Sequence, residues 1–275
     1  MSVESAAAEY REFRDFLAKA CGIVLGDNKQ YLVASRLKRL MSDQDIENLG
    51  ELIKRLQQFS NRSLKESVVD AMTTNETLWF RDAHPFNILK EKLLPELKSS
   101  VRPVRVWSAA CSSGQEPYSI SMMIEEFTRS NPGVLKQSVE IVATDLSRSM
   151  LDCCKEAEYD NLSLGRGLSP ERLKQFFEPL DSGVWRVKKE VSQRVRLQQL
   201  NLMDSYSSLG KFDVVFCRNV LIYFSAELKA DIFRRLHGSL RPGGYLVLGA
   251  SESLVGTTEL FDMVQCRPGI IYRAK

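Results

Sequence analysis

Histidine is almost missing: only His84 and His237 occur in 275 residues. A histidine-rich metal centre is therefore excluded, and a Ser-His-Asp or Cys-His machine is disfavoured. Six cysteines are present (Cys21, Cys111, Cys153, Cys154, Cys217, Cys266), but none form a CxxC pair, and adjacent Cys153 and Cys154 do not easily bridge each other. Neither a zinc ribbon nor a disulfide framework is indicated, and reduced thiols imply a reducing compartment. No apolar run approaches the ~18 residues of a membrane span, and MSVESAAAEYREF lacks the basic start and apolar stretch of a secretory leader. The expectation is a cytoplasmic protein. Excess charge is scarce too: 38 Lys+Arg against 35 Asp+Glu leave +3, too little to imply a nucleic-acid partner by itself.

What is there is an ordinary globular composition, 44% hydrophobic and 27% charged, with length for one large domain or one large plus one small. From Ser2 to about Thr73 apolar residues recur at helical spacing: Tyr10, Phe13, Phe16 and Leu17, then Leu32, Leu37, Leu40 and Met41, then Leu49, Leu52, Ile53 and Leu56. Ser42-Asp43 and Ser60-Asn61 are the expected breaks and candidate N-caps. Beyond Val101 the pattern changes to strands alternating with helices. Strands are expected over 104–107, 139–144, 194–200, 212–217, 245–249 and 269–272, which indicates a doubly wound, largely parallel α/β sheet. The interval 158–200 is too long for an ordinary αβ loop and reads as a small antiparallel excursion, with a helix over 170–177, a turn at Asp181-Ser182-Gly183 and β-like runs over 184–188 and 191–200.

In such sheets ligands lie beyond the carboxyl ends of the strands. Four ends are informative. Ser108-Ala109-Ala110-Cys111-Ser112-Ser113-Gly114 lets a ligand approach the backbone, but the G-x-G-x-x-G spacing is absent, so a pyrophosphate is disfavoured. Asp145 closes an apolar strand, either where ribose hydroxyls are gripped or as an N-cap for the next helix. Asn201-Leu202-Met203-Asp204 is the third end. At the fourth, a strand opens onto Arg218-Asn219 with Tyr223 shortly after; Arg218 is either a site donor or the partner of a surface carboxylate.

Together with Leu240-Arg241-Pro242-Gly243-Gly244-Tyr245, these ends resemble class I S-adenosylmethionine-dependent methyltransferases with their Rossmann-like sheet. Three separated motifs narrow the resemblance. Thr73-Thr74-Asn75-Glu76-Thr77-Leu78-Trp79-Phe80-Arg81, Trp107 through Ser119, and Phe216-Cys217-Arg218-Asn219-Val220-Leu221-Ile222-Tyr223-Phe224 look like the CheR family, the bacterial chemoreceptor glutamate O-methyltransferases. The match covers nearly the whole chain. It implies an all-helical receptor-docking domain over 1–72, a methyltransferase domain over 73–275 and an inserted β-subdomain over 158–200.

The resemblance also implies S-adenosylmethionine as cofactor, with S-adenosylhomocysteine as product. Family cofactor contacts fall on Asn75, Thr77, Arg81, Glu116, Asp145, Asn201, Leu202, Arg218 and Asn219. Arg81 and Tyr223 match the catalytic positions that frame the methionine end and the reacting methyl. Ala110 departs from the glycine of many members. The acceptor glutamate, with a reference pKa near ~4.3, is already an anion at pH 7, so no general base and no metal is required. Scarce histidine suits that chemistry.

Partners are expected to be the cytoplasmic helices of methyl-accepting chemotaxis receptors, with no nucleic acid, no membrane insertion and a monomeric enzyme. Residues 1–72 hold 11 Lys+Arg and 11 Asp+Glu, but 29–41 carry Lys29, Arg36, Lys38 and Arg39 without an acid. Either this run is a solvated face or, given the family, it docks on an acidic receptor surface. The segment 177–185 is short and has a single Gly, Gly183, so binding of a receptor C-terminal pentapeptide tether is not expected. Two rivals remain at this stage. A non-catalytic adaptor would keep the fold without the activity. A nucleic-acid methyltransferase would call for an Asn/Asp-Pro-Pro-aromatic strand end or a Pro-Cys nucleophile, and Cys217-Arg218-Asn219-Val220 offers neither.

Overall fold

The computed structural model describes residues 3–58 and 60–275; Ser2, where the helical pattern was expected to begin, lies outside the described residues with Met1 and Phe59. Contacts divide the described chain into two compact units, 3–74 with 223–228, and 75–222 with 229–275.

The first unit contains α1 (Val3–Cys21), α2 (Gln30–Asp43), α3 (Leu49–Gln57) and α4 (Arg62–Met72). Each has an apolar stripe at three- and four-residue spacing that it can cover only against the others. Tyr10, Phe13, Leu17 and Cys21 of α1, Val33 and Leu37 of α2, Leu52, Ile53 and Leu56 of α3, and Val68, Val69 and Met72 of α4 are buried. The expected break at Ser42-Asp43 is instead the last turn of α2, and the chain turns after Gln44 so that Ile46 can be buried. Asn48 is the N-cap of α3: its side chain accepts from the Glu51 amide, and Glu51 returns the bond from the Glu47 amide at 2.9 Å. Asn61 precedes α4 but does not cap it. Its side-chain amide donates to Arg55 O and Gln58 Oε1, closing the end of α3 instead.

The rest of the chain carries strands β1 (Val104–Ala109), β2 (Val139–Asp145), β3 (Glu158–Asp160), β4 (Phe177–Pro179), β5 (Val184–Val187), β6 (Val195–Gln199), β7 (Phe212–Cys217), β8 (Leu240–Leu248), β9 (Phe261–Gln265) and β10 (Ile270–Ala274). Helices α5 (His84–Ile88) and α6 (Leu94–Leu97) flank a π-helical turn, Leu89–Leu93. They are followed by α7 (Gln115–Ser130), α8 (Arg148–Glu156), α9 (Asn161–Leu164), α10 (Pro170–Phe176), α11 (Lys189–Ser192) and α12 (Ala226–Ser239). The main sheet has the order β6-β2-β1-β7-β8-β10-β9; its first five strands run parallel, β10 pairs antiparallel with β8, and β9 pairs antiparallel with β10. This is the doubly wound sheet expected. All six residues of β7 are buried, as a central parallel strand covered on both faces requires.

The smaller sheet, β3-β5-β4, is antiparallel as expected, but the excursion is shorter than 158–200. It ends with β5 at Val187. The run over 191–200 splits into the end of α11 and β6, which pairs in parallel with β2 from Ile141↔Val195 to Asp145↔Gln199. Alternation of half-buried Val195 and Leu197 with Arg196 marks a strand at a sheet edge, and such alternation does not say which sheet. Strand β8 begins earlier than 245 because the Pro242-Gly243-Gly244 stretch joins it through a register irregularity against Phe212 and Val214. Strand β9 and the helical run 84–97 were not among the expected elements: β9 buries only Phe261, and the run carries Pro85 in its first turn, where no amide donor is needed, and Pro95 in its interior just after the π-helical turn. Among the described residues, no helix is long and apolar enough to cross a membrane.

Trp79 joins the interdomain motif to the small sheet. It is fully buried, edge-on to Tyr159 at 4.9 Å and Phe177 at 5.3 Å, and its amide donates to Arg166 O. Replacing Trp79 with Ala should cost about 3–5 kcal/mol, the usual loss for a buried aromatic, measurable as a lower urea midpoint.

Candidate functional site

The chain leaves β1 toward β2 and β6 on one side and returns to β7 on the other, so β1 and β7 flank the switch point where doubly wound sheets open a crevice. The four strand ends singled out in the sequence belong to β6, β2, β1 and β7, which are neighbours in that order.

After β1 the backbone turns sharply: Ala110, Ser112 and Gly114 have φ of +58°, +50° and +100°. Asp145 holds this turn. Its Oδ2 accepts from the Ser112 amide at 2.7 Å and its Oδ1 from the Ser147 amide at 2.9 Å. The N-cap of α8 is Ser147, not Asp145, because the Ser147 hydroxyl accepts from the Met150 amide. The Ser112 hydroxyl donates to Asn75 O at 2.8 Å, bringing Asn75 to the same turn. Gly114 has no room for a side chain: a Cβ would lie 2.5 Å from Cys154 Sγ and 2.9 Å from the Tyr159 hydroxyl. Contact with Cys154 and complete burial push the Cys111 thiol well up, and burial does the same to Tyr159 and Cys217. These groups stay protonated at pH 7 and form a neutral floor under the turn, which removes Cys111 and Cys217 as nucleophiles.

Arg218 is the hub of the other half. Its side chain is 1% exposed and lies against the Phe86 ring, 5.5 Å from the centroid. It donates to Glu116 Oε2 at 2.9 Å, Asp82 Oδ2 at 2.8 Å and Arg81 O at 2.7 Å. The partners are thus a carbonyl and two acids, the largely buried Glu116 and the exposed Asp82, so pairing with a surface carboxylate holds for one of the two. The other Glu116 oxygen accepts from the Ser108 hydroxyl at 2.7 Å. Asp82 escaped the sequence reading, with adjacency to Arg81 its only signal; Ser108 and Ser112 lie in the turn singled out from the sequence, which gave them no role of their own.

Asn219 has φ of +58°, and its amide donates to Glu252. Asn201 Oδ1 accepts from the Met203 amide, and buried Leu202 offers its carbonyl to the Tyr206 hydroxyl and to Arg235. Thr77 is half-buried. The guanidinium of Arg81 makes one long bond, 3.4 Å to Glu76 O. The structure therefore links Asn75 to Asp145, and Arg81 to Glu116 through Arg218. Tyr223 groups with the helical unit, where its carbonyl accepts from the Val24 amide. Neither histidine joins the network as an acid or base: His84 Nδ1 lies 2.8 Å from Asp82 O, and the His237 ring meets Phe261 edge-on.

Within the helical unit, Arg36 is committed internally. It donates to Met72 O, Thr73 O and the Thr74 hydroxyl, satisfying the carbonyl end of α4. Arg39 is 94% exposed and 3.7 Å from Asp43; Lys29 lies over the Tyr31 ring; Lys38 is exposed. The basic run is thus thinner than its sequence suggests, since Arg36 is not a free surface charge.

The donor set fits S-adenosylmethionine. One guanidinium against the Glu116 and Asp82 carboxylates leaves a net negative charge, which suits an ammonium or sulfonium. The small-residue turn and Asp145 offer a close backbone approach and a carboxylate without any phosphate cradle. Arg218 also keeps a buried Nε with no partner among the described residues. Breaking a buried ion cluster by removing one member costs about 3–5 kcal/mol, so Arg218→Met should lower stability by that much in urea. It should also raise the KM for S-adenosylmethionine. Ala110→Gly should be neutral or stabilising by up to about 1 kcal/mol, because a left-handed alanine is strained by roughly 1–2 kcal/mol and glycine entropy offsets part of the relief; thermal melting checks it.

Family models match nearly the whole chain: the CheR methyltransferase SAM binding domain over residues 75–270 and the CheR methyltransferase all-alpha domain over 8–73. Chemotaxis protein methyltransferase 1 of Pseudomonas aeruginosa is 61% identical over 275 residues, covering 99% of this chain and 100% of that protein. Chemotaxis protein methyltransferase Cher2 of Pseudomonas putida is 60% identical, covering 97% and 98%. A chemotaxis protein methyltransferase of Vibrio anguillarum is 56% identical, covering 97% of each. With both domains matched in order and the strand-end residues gathered as described, the chain belongs to the CheR methyltransferase family.

Proposed function

We propose that this S-adenosylmethionine-dependent enzyme methylates glutamate side chains of bacterial chemoreceptors in the cytoplasm, giving glutamyl methyl esters. The observation that carries the reading is a pair of fixed carboxylates, Glu116 in the first turn of α7, held by buried Arg218, and Asp145 at the end of β2, held by the Ser112 and Ser147 amides. Glu116 is suited to the methionine ammonium and Asp145 to the ribose hydroxyls, with Leu202 against the adenine and Asn75, Thr77, Asn201 and Asn219 completing the contacts. When bound, the sulfonium supplies an electrophilic methyl and a leaving group that needs no proton.

The acceptor carboxylate is ionised at pH 7, so the enzyme's task is alignment, which can supply roughly 7–11 kcal/mol. Tyr223 orients the acceptor by a hydrogen bond. Arg81 serves the cofactor carboxylate; a direct pair between Arg81 and the acceptor would quench the nucleophile. Lys29, Lys38 and Arg39 steer an acidic receptor helix, with small individual contributions of about 0.2–1 kcal/mol. The enzyme acts as a monomer. It does not depend on a receptor C-terminal pentapeptide, a reading supported by the short β4–β5 connection of four residues, Leu180 to Gly183.

Incubation with labelled S-adenosylmethionine and receptor-bearing membranes should yield label released as methanol by base. Base-stable label, or transfer to RNA, would sink the assignment, and no transfer at all would favour the adaptor. Tyr223→Phe should lower kcat by about tenfold or more with little change in the KM for S-adenosylmethionine. Lys38→Glu with Arg39→Glu should raise the receptor KM by about 2–10-fold, an effect that shrinks with added salt. Titration with a receptor C-terminal pentapeptide should show no micromolar binding.

A further inference from the structure

Glu252 lies after β8 in the turn Gly249-Ala250-Ser251-Glu252 and has no part in the reading above. Its carboxylate accepts four backbone amides. Oε2 takes Asn219 at 2.6 Å and Gly249 at 2.9 Å; Oε1 takes Val220 at 3.1 Å and Leu221 at 2.8 Å. Three consecutive amides aimed at one carboxylate form an anion nest, here filled by the chain's own side chain. The nest needs Asn219 in the left-handed region, at φ +58°, which asparagine enters more readily than most residues but still at a cost. It also needs a glycine opposite. A Cβ on Gly249 would lie 2.6 Å from Glu252 Oε2, 2.8 Å from Asn219 Nδ2 and 3.0 Å from Asn219 N.

We infer that Glu252 is a positioning residue for cofactor binding: it clamps the segment 219–221 to the β8 turn and thereby fixes the strand end that presents Arg218 and Asn219. The inference rests on the cofactor reading of that strand end. A carboxylate is required at this position because four donors need four acceptor sites. A glutamine oxygen accepts two of them, while its NH2 group confronts the other two with a donor. The left-handed turn at Asn219 is then no longer held.

The test uses the full chain, with S-adenosylhomocysteine binding measured by calorimetry well below the melting temperature, beside thermal melts. The parent should bind. Glu252→Gln and Gly249→Ala should each raise the Kd by at least about tenfold while remaining folded, and Glu252→Asp, which keeps the charge but shortens the reach, should fall between them and the parent. A purely structural role would lower the melting temperature and leave the Kd of the folded protein unchanged. Parent binding with both variants within twofold overturns the clamp and leaves the cofactor reading intact. A parent that does not bind S-adenosylhomocysteine overturns the cofactor reading and the clamp with it. Should Glu252→Gln fail to fold, Gly249→Ala decides, because it disturbs the same contact without removing the charge.

Discussion

A single buried guanidinium holds the candidate site together. Arg218 has left water almost entirely, and a cation in that position is tolerable only if its donors are met. Glu116, Asp82 and the Arg81 carbonyl meet them, and they come from two segments far apart in the chain. One side chain therefore fixes the interdomain motif, the first turn of α7 and the end of β7 against each other. The net negative charge left over suits the cationic cofactor proposed for the site. Asp145 performs a similar service for the turn after β1, through neutral backbone donors.

Chemistry with a pre-ionised acceptor places few demands on side chains beyond alignment. That explains how a chain with two histidines, neither in the network as an acid or base, and with thiols kept protonated by burial can be a transferase. The helical unit follows a comparable economy. Arg36 closes the end of α4, and Arg39 has Asp43 one turn away, so the field presented by α2 is weaker than four like charges in thirteen residues would suggest. Steering over a Debye length suits such a surface better than tight electrostatic binding does.

Much of the fold was legible because its signals are local. The run 212–217 reads as a buried strand from its own composition and is β7 residue for residue; the stripes of α1 to α3 are equally self-contained. Where a signal depended on the partner, it was ambiguous. Val195 and Leu197 announce a strand, yet only pairing with β2 assigns it to the main sheet and not to the small one. Asn61 is a plausible cap by composition, but the neighbouring end of α3 competes successfully for its side chain. The strand-end residues were found because the fold class itself dictates where ligands lie. Asp82 and Glu252 were not, since nothing next to a lone carboxylate in the chain shows which donors will converge on it.

The sequence by itself determined the type of most elements, though not of β9 or the helical run 84–97, together with the doubly wound class, the family motifs and a chemistry that does without a base. Tertiary structure alone decided that Arg36 closes a helix, that Asp145 grips the turn after β1 while Ser147 caps α8, and that Glu252 gathers four amides. The physical reason is range. Periodicity and turn chemistry act over a few residues and are written in neighbouring letters, whereas Arg218 and Glu116 are 102 residues apart and become partners only when β7 pairs with β1.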